Sequence, residues 1–314
     1  MIVTLTLNPS LDRTVEVPSL SRGSVIRASS GRLDPGGKGV NVARALLANG
    51  VDACAVLPAG GSVGHQLVEL LEAEEVAMAA VPVAGATRSN LTLSEPDGTV
   101  TKINESGASL TAAEIDLLAD TVMGLVGPHD WAVLSGSVPP GVDHGVYAHL
   151  TERFVASGIA VAVDTSGPAL VQAVKARPTL VKPNREELAE AVGRKVHSLA
   201  DAVEAALVLR EAGAGTVLAS LGPDGAVLAE RDGVSLGECA VAEPRSAVGA
   251  GDCLLAGFLA GGAGGADALA TGLCWAGAAV GLPGSRVPTP VDIAQRRAHL
   301  TNDVNRHRAL TVPT

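Results

Sequence analysis

The 314-residue chain predicts an α/β fold, a doubly wound, mainly parallel sheet flanked by helices with a small β-sheet attached. Three observations carry that expectation. Strand-like and helix-like segments alternate from the first residues onward, the pattern of repeated βα units. The composition is 47% hydrophobic but only 2% aromatic, so the core is built of small aliphatic side chains, which suits parallel strands covered closely by helices. Two segments, 14–33 and 87–104, break the βα rhythm with a period-2 alternation typical of strands with one exposed face.

In chain order, 2–7 reads as a strand. Thr14-Val15-Glu16-Val17 then alternates, opening the first irregular segment. Gly39 to Asn49 reads as a helix through the spacing of Val42, Ala45, Leu46 and Ala48, and Asn49-Gly50 stops it. A strand at 53–58 and a helix at 65–74 follow. The second irregular segment is a hairpin: Asn90-Leu91-Thr92-Leu93, the turn Pro96-Asp97-Gly98, then Val100-Thr101-Lys102-Ile103. Both irregular segments suit an antiparallel sheet. Further strands are expected at 131–135, 159–164, 179–182 and 216–220, with helices at 146–157 and 200–212. The apolar run from Cys253 to Phe258 reads as a helix. The stretch from Ala256 to Leu282 is broken by glycines and Asp267, so it reads as a buried helix pair and not a membrane span. The chain thus divides into a core of 1–13, 34–86 and 105–314, and a β lid of 14–33 and 87–104.

A formal net charge of -10 argues against nucleic-acid or acidic-membrane partners. An anionic substrate would need a local group of cations. Cys54, Cys239, Cys253 and Cys274 show neither CxxC spacing nor a Cys/His cluster, so they read as buried reduced thiols. The N-terminus reads as a strand and lacks the basic start of a signal peptide, which suggests a cytoplasmic protein.

No Walker A sequence is present, and no GxGxxG follows the first strand. Two other glycine loops stand out. Asp34-Pro35-Gly36-Gly37-Lys38-Gly39-Val40-Asn41 opens a helix: its glycines let backbone approach a ligand, Lys38 adds positive charge, and Asn41 can bond hydroxyls. Gly249-Ala250-Gly251-Asp252 also opens a helix, presenting bare backbone N–H groups to an anion with a carboxylate in the first turn. An anion cradle holding a carboxylate suggests phosphoryl transfer to an alcohol. Each loop alone also reads as an ordinary turn or cap, but the pair is much more specific.

The chain resembles the ribokinase, or PfkB, family of carbohydrate kinases over nearly its whole length. The motifs are Gly36 to Ala43, Gly249 to Asp252, Ser135 to Gly141, Val181-Lys182-Pro183-Asn184-Arg185-Glu186-Glu187, Ser220-Leu221-Gly222-Pro223-Asp224-Gly225 and the opening Thr6 to Asp12. The opening is similar to the phosphosugar branch. The resemblance implies a ribokinase-like fold and ATP with Mg²⁺. Asp252 would be the catalytic base, and the Gly249, Ala250 and Gly251 amides would hold charge on the transferred phosphoryl group. Asn184 and Glu187 would organise the metal, Glu187 acting directly or through water. Lys182, Ser220, Gly222 and Gly225 would line the nucleotide side. Asp12, Gly36, Gly37, Asn41 and Ser137 would line the sugar side. Ala247 stands where many members carry Thr, which removes one expected phosphate contact.

The resemblance implies that Arg88 and Arg27, which match cations of the phosphosugar branch, bind the substrate's own phosphate, with Lys38 completing the group; guanidinium forks suit phosphate geometry. The resemblance favours a ketohexose phosphate, fructose 1-phosphate first, with tagatose 6-phosphate and fructose 6-phosphate as alternatives. A kinase for an unphosphorylated sugar or nucleoside, and a catalytically silent sugar-phosphate-binding regulator, are the competing readings. Exposed edge strands in the lid suggest a homodimer formed there.

Overall fold

In this computed structural model, residues 1–301 and 308–311 are described; the remaining C-terminal residues of the expected core segment lie outside them. The chain runs through β1 (Ile2–Thr6), β2 (Ser10–Glu16), β3 (Ser30–Gly36), the helix Lys38–Ala48, β4 (Ala53–Ala59), the helix Gly61–Ala73, β5 (Met78–Pro82), β6 (Arg88–Ser94), β7 (Val100–Asn104) and the helix Ala112–Leu125. It continues with β8 (Trp131–Ser135), the helix Val146–Ala156, β9 (Ala160–Asp164), the helix Gly167–Lys175, β10 (Leu180–Val181) and the helices Arg185–Val192 and Leu199–Glu211. Then come β11 (Thr216–Ser220), β12 (Ala226–Glu230), β13 (Gly233–Glu238), the helices Ala250–Ala260 and Gly265–Val280, the short helix Pro290–Ala294 and β14 (His299–Thr301).

The large sheet has ten strands in the order β14-β13-β12-β11-β10-β9-β8-β1-β4-β5. From β5 through β11 all pairs are parallel, while β12, β13 and β14 add antiparallel strands at one edge. Their alternation was not recognised in the sequence. β1 is buried along its whole length, as a strand covered on both faces must be. One face packs on Leu118, Tyr147, Phe154, Leu170 and Leu188. The opposite face packs on Val42, Leu46, Phe258 and Leu269, with Leu67 and Leu71 beside them.

The apolar stretch near the C-terminus is a helix pair, as expected, interrupted between Ala260 and Gly265. Gly257 lets the two helices approach: a Cβ there would lie 2.9 Å from the Gly272 Cα. No helix among the described residues is long and apolar enough to cross a membrane. All four cysteines are free thiols.

The small sheet has four strands in the order β3-β2-β6-β7. It corrects the expected antiparallel arrangement at its centre: β2 pairs with β3 and β6 with β7 in antiparallel fashion, but β2 and β6 run parallel. Two distant hairpins side by side can present like-directed strands, which local alternation cannot reveal. The strands also reach further than the 14–33 segment, from Ser10 to Gly36, so this sheet carries Asp12 and Gly36 itself.

Candidate active site

In an open α/β sheet, ligands sit outside the carboxyl ends of the strands where the winding direction reverses. Here β1 is flanked by β4 and β8, and the winding reverses there. The carboxyl ends of β1, β8, β9, β10 and β11 lead directly to Asn8, Ser137, Asp164, Lys182 and Ser220. Both glycine loops reach this edge.

Gly249 caps the helix Ala250–Ala260 with φ of 77°, a left-handed conformation that glycine adopts without strain. Asp252 follows in the first turn and is 7% exposed. The Ala250 N–H is engaged with the Ala247 carbonyl at 3.3 Å, whereas the Gly249 and Gly251 N–H groups donate to no group among the described residues, so two of the three amides expected from sequence are open. Asp252 Oδ2 accepts a hydrogen bond of 2.8 Å from Asn41 Nδ2. The two glycine loops therefore meet at one carboxylate.

The Asp252 carboxyl is pushed up to about 7. Burial is the main cause, and the negative charge of Asp164 adds to it, while Lys182, the Asn41 hydrogen bond and Lys38 pull the other way. A carboxylate poised near neutrality is the setting a general base needs.

Beneath Asp252 lies a buried ionic group. Asp164 is fully buried, with Lys38 Nζ at 2.8 Å from one oxygen and Lys182 Nζ at 3.0 Å from the other. Burial alone would raise the Asp164 pKa, but the two ammonium groups outweigh it and hold the carboxyl below its ordinary value. Lys38 also lies 3.2 Å from Glu187 Oε1. Burial works against its charge, yet Asp164 and Glu187 win and hold the ammonium above the ordinary lysine range. Lys182 is only 3% exposed, and its ammonium lies over the anion loop: a Cβ on Gly251 would be 3.3 Å from it.

The Lys38 ammonium, expected to join Arg27 and Arg88 in a cationic group, is bound by Asp164 and Glu187. Arg27 is exposed in the loop between β2 and β3, with no strand around it. Arg88 opens β6 and donates to the Asn8 carbonyl at 3.1 Å and the Glu105 carbonyl at 2.9 Å, leaving its buried Nε without a partner. Burial lowers its pKa, and Asp12 and Glu105 counter that.

The sugar-side residues expected from sequence converge at the junction of the two sheets. Gly37 has φ of 120°, and a Cβ there would stand 2.9 Å from Thr6 Cγ2, so the loop depends on glycine. Asp12 lies against Gly36, where a Cβ would be 2.6 Å from the Asp12 carboxyl carbon. Ser137 Oγ accepts from Asn8 Nδ2 at 3.1 Å. Asn41 Oδ1 is buried with no partner.

Asn184 and Glu187 form a capping box on the helix Arg185–Val192. Asn184 Oδ1 accepts from the Glu187 N–H, and Glu187 Oε2 accepts from the Asn184 N–H, both at 2.8 Å. The expected metal pair is thus also a helix cap, and each oxygen keeps a lone pair. Among the described residues no group of three or more His, Cys, Asp or Glu side chains could hold a metal. One carboxylate and one amide fit a Mg²⁺ ion held mostly by phosphates and water. Ser220 bridges Asn184, Gly222 opens a tight turn with φ of 63°, and Gly225 passes against the Gly237 backbone, where no side chain fits. Gly225 is therefore explained by packing.

Asp164, Asn8 and Asn90 were missed from the sequence. Asp164 had a signal, a carboxylate ending an apolar parallel strand.

The pfkB family carbohydrate kinase model matches residues 5–292. The chain is 38% identical over 304 residues to a 1-phosphofructokinase of Haloferax volcanii, covering 96% of this chain and 97% of that protein. It is 35% identical over 264 residues to the 1-phosphofructokinase of Escherichia coli strain K12, covering 83% of each. Its fold is similar to that of phosphofructokinase-2 from Escherichia coli in complex with fructose-6-phosphate, with a TM-score of 0.87, 33% identity, and 94% and 97% of the two chains covered. Two glycine loops meeting at a buried carboxylate, on a parallel sheet with this sequence kinship, place the chain in the pfkB family of carbohydrate kinases.

Proposed function

We propose that the protein is an ATP-dependent sugar-phosphate kinase of the phosphofructokinase type, acting on fructose 1-phosphate at its C6 hydroxyl to give fructose 1,6-bisphosphate. The observation that carries the reaction is the Asn41–Asp252 contact at the N-terminal turn of the helix Ala250–Ala260. Asp252 takes the proton of the attacking hydroxyl as the sugar oxygen bonds to the γ-phosphorus. The bond to the bridging oxygen breaks, and ADP leaves. The Gly251 and Asp252 N–H groups and the Lys182 ammonium face the charge of the phosphoryl group in flight. Asn184 and Glu187 would hold Mg²⁺, which when bound neutralises the nucleotide's phosphates. Asn41 both orients Asp252 and offers Oδ1 to a sugar hydroxyl.

Arg88 supports a phosphorylated sugar: its guanidinium is held by two carbonyls yet keeps a buried N–H unspent. The relatives named 1-phosphofructokinase favour fructose 1-phosphate. The likeness to phosphofructokinase-2 bound to fructose-6-phosphate supports the second reading, a 6-phosphofructokinase. An ADP-release assay over the candidate sugars separates them. The small sheet is proposed as a lid that also joins two copies, since Ile103 and Val100 on its outer strand are each more than half exposed.

A further inference from the structure

We propose that Asn90 is the positioning residue of the sugar side, fixing the Asp12 carboxylate so that its second oxygen is presented to a ligand hydroxyl; this rests on the sugar-phosphate kinase reading above. The register of the small sheet brings the groups together. β2 and β6 pair with Ser10 opposite Arg88 and Asp12 opposite Asn90. Residues two apart on a strand share a face, so Arg88, Asn90, Ser10 and Asp12 stand on one face as two adjacent rows. Gly36 of β3 is the partner of Ser10 on the other side.

Within this patch the hydrogen bonds close a ring. Asn90 Nδ2 donates to Asp12 Oδ1 at 2.9 Å and to Ser10 Oγ at 3.0 Å. Ser10 Oγ donates to Asp12 Oδ1 at 2.7 Å. An ionised carboxylate only accepts, so the amide must turn its nitrogen toward Asp12. Oδ1 is therefore filled by two donors. Oδ2 receives none among the described residues and is left for a hydroxyl. Gly36 closes the other flank, since any side chain there would meet Ser10 Oγ and the Asp12 carboxyl. Asn90 lies two residues beyond Arg88 on the same face, about 7 Å along the strand. That separation suits a small sugar phosphate held by its phosphate at Arg88 and by a hydroxyl at Asp12.

The test is a double-mutant cycle read by steady-state kinetics with fructose 1-phosphate, alongside the thermal midpoint. Asn90→Leu removes both donors at similar volume, and Asn90→Ser serves if the leucine variant does not fold. The expected result is a rise of about ten-fold in KM for the phosphosugar, with KM for ATP changed less than two-fold. On an Asp12→Ala background the same substitution is expected to change KM for the sugar by less than two-fold, because Asn90 acts through Asp12. An unchanged sugar KM, an equal rise on both backgrounds, or parallel rises for sugar and ATP would overturn the proposal. Wild-type enzyme that turns over no phosphosugar would overturn the functional reading itself, whereas wild-type turnover with an additive cycle overturns only the role of Asn90.

Discussion

Asn41 donates a 2.8 Å hydrogen bond to Asp252 across 211 residues of sequence. This contact ties the glycine loop proposed for the sugar to the helix turn proposed for the phosphoryl group. The proposed base is therefore oriented by the same element that would bind its substrate. Removing the carboxylate as Asp252→Ala is expected to lower kcat by about 10²–10⁴-fold while the sugar KM changes little. Near-normal turnover would remove Asp252 from the role of base.

The Asp252 carboxyl at about 7 gives a pH prediction. Only the ionised form accepts a proton, so kcat/KM rises with pH up to about 7 and levels above it. The sign for stability is opposite. A folded pKa raised above the unfolded value means the stability from the protonated form is full below about 4 and is lost as pH rises through about 7. Asp252→Asn is expected to melt at a higher temperature than wild type at pH 8, with the gap closing as pH falls toward 4. Thermal unfolding across that range checks it, and a gap that does not vary with pH would count against the buried-base assignment.

Arg88 is expected to serve the substrate's phosphate. Arg88→Ala should raise KM for the phosphosugar at least about ten-fold, consistent with the loss of a charge-assisted bond, and leave KM for ATP nearly unchanged. Equal effects on both substrates would place Arg88 elsewhere in the mechanism.

Glu187→Gln separates the helix cap from the metal role. The amide oxygen still accepts the Asn184 N–H while the charge facing Lys38 is lost, so the thermal midpoint should fall modestly, while the Mg²⁺ concentration for half-maximal rate should rise about ten-fold. An unchanged Mg²⁺ requirement would leave Glu187 as a cap and a partner of Lys38 alone.

The homodimer prediction concerns the outer strand of the small sheet. Light scattering at micromolar concentration is expected to give twice the chain mass, and Ile103→Glu to give the monomer mass. A wild-type monomer would refute the interface.

Much of this site was legible because its residues are tied to local backbone needs. The glycines at 36–39 and 249–251 mark turns whatever surrounds them, and the helix after each follows from its apolar spacing. Side-chain direction was not legible in the same way. Lys38 reads as a cation for a phosphate, yet its ammonium goes to Asp164 and Glu187, residues more than a hundred positions away. Asp164 reads as the polar end of a strand until the two lysines flank it. Asn90 reads as one polar residue of an alternating strand, and only the parallel register with β2 sets it opposite Asp12. Pairings between distant segments determine these roles.

The central claim is phosphoryl transfer from ATP to a phosphorylated ketohexose. A coupled ADP assay with fructose 1-phosphate, fructose 6-phosphate, tagatose 6-phosphate, fructose and ribose tests it most directly. The account predicts the highest kcat/KM for fructose 1-phosphate and negligible turnover of fructose and ribose. Efficient turnover of an unphosphorylated sugar, or stoichiometric binding of a sugar phosphate with no ADP formed, would contradict it.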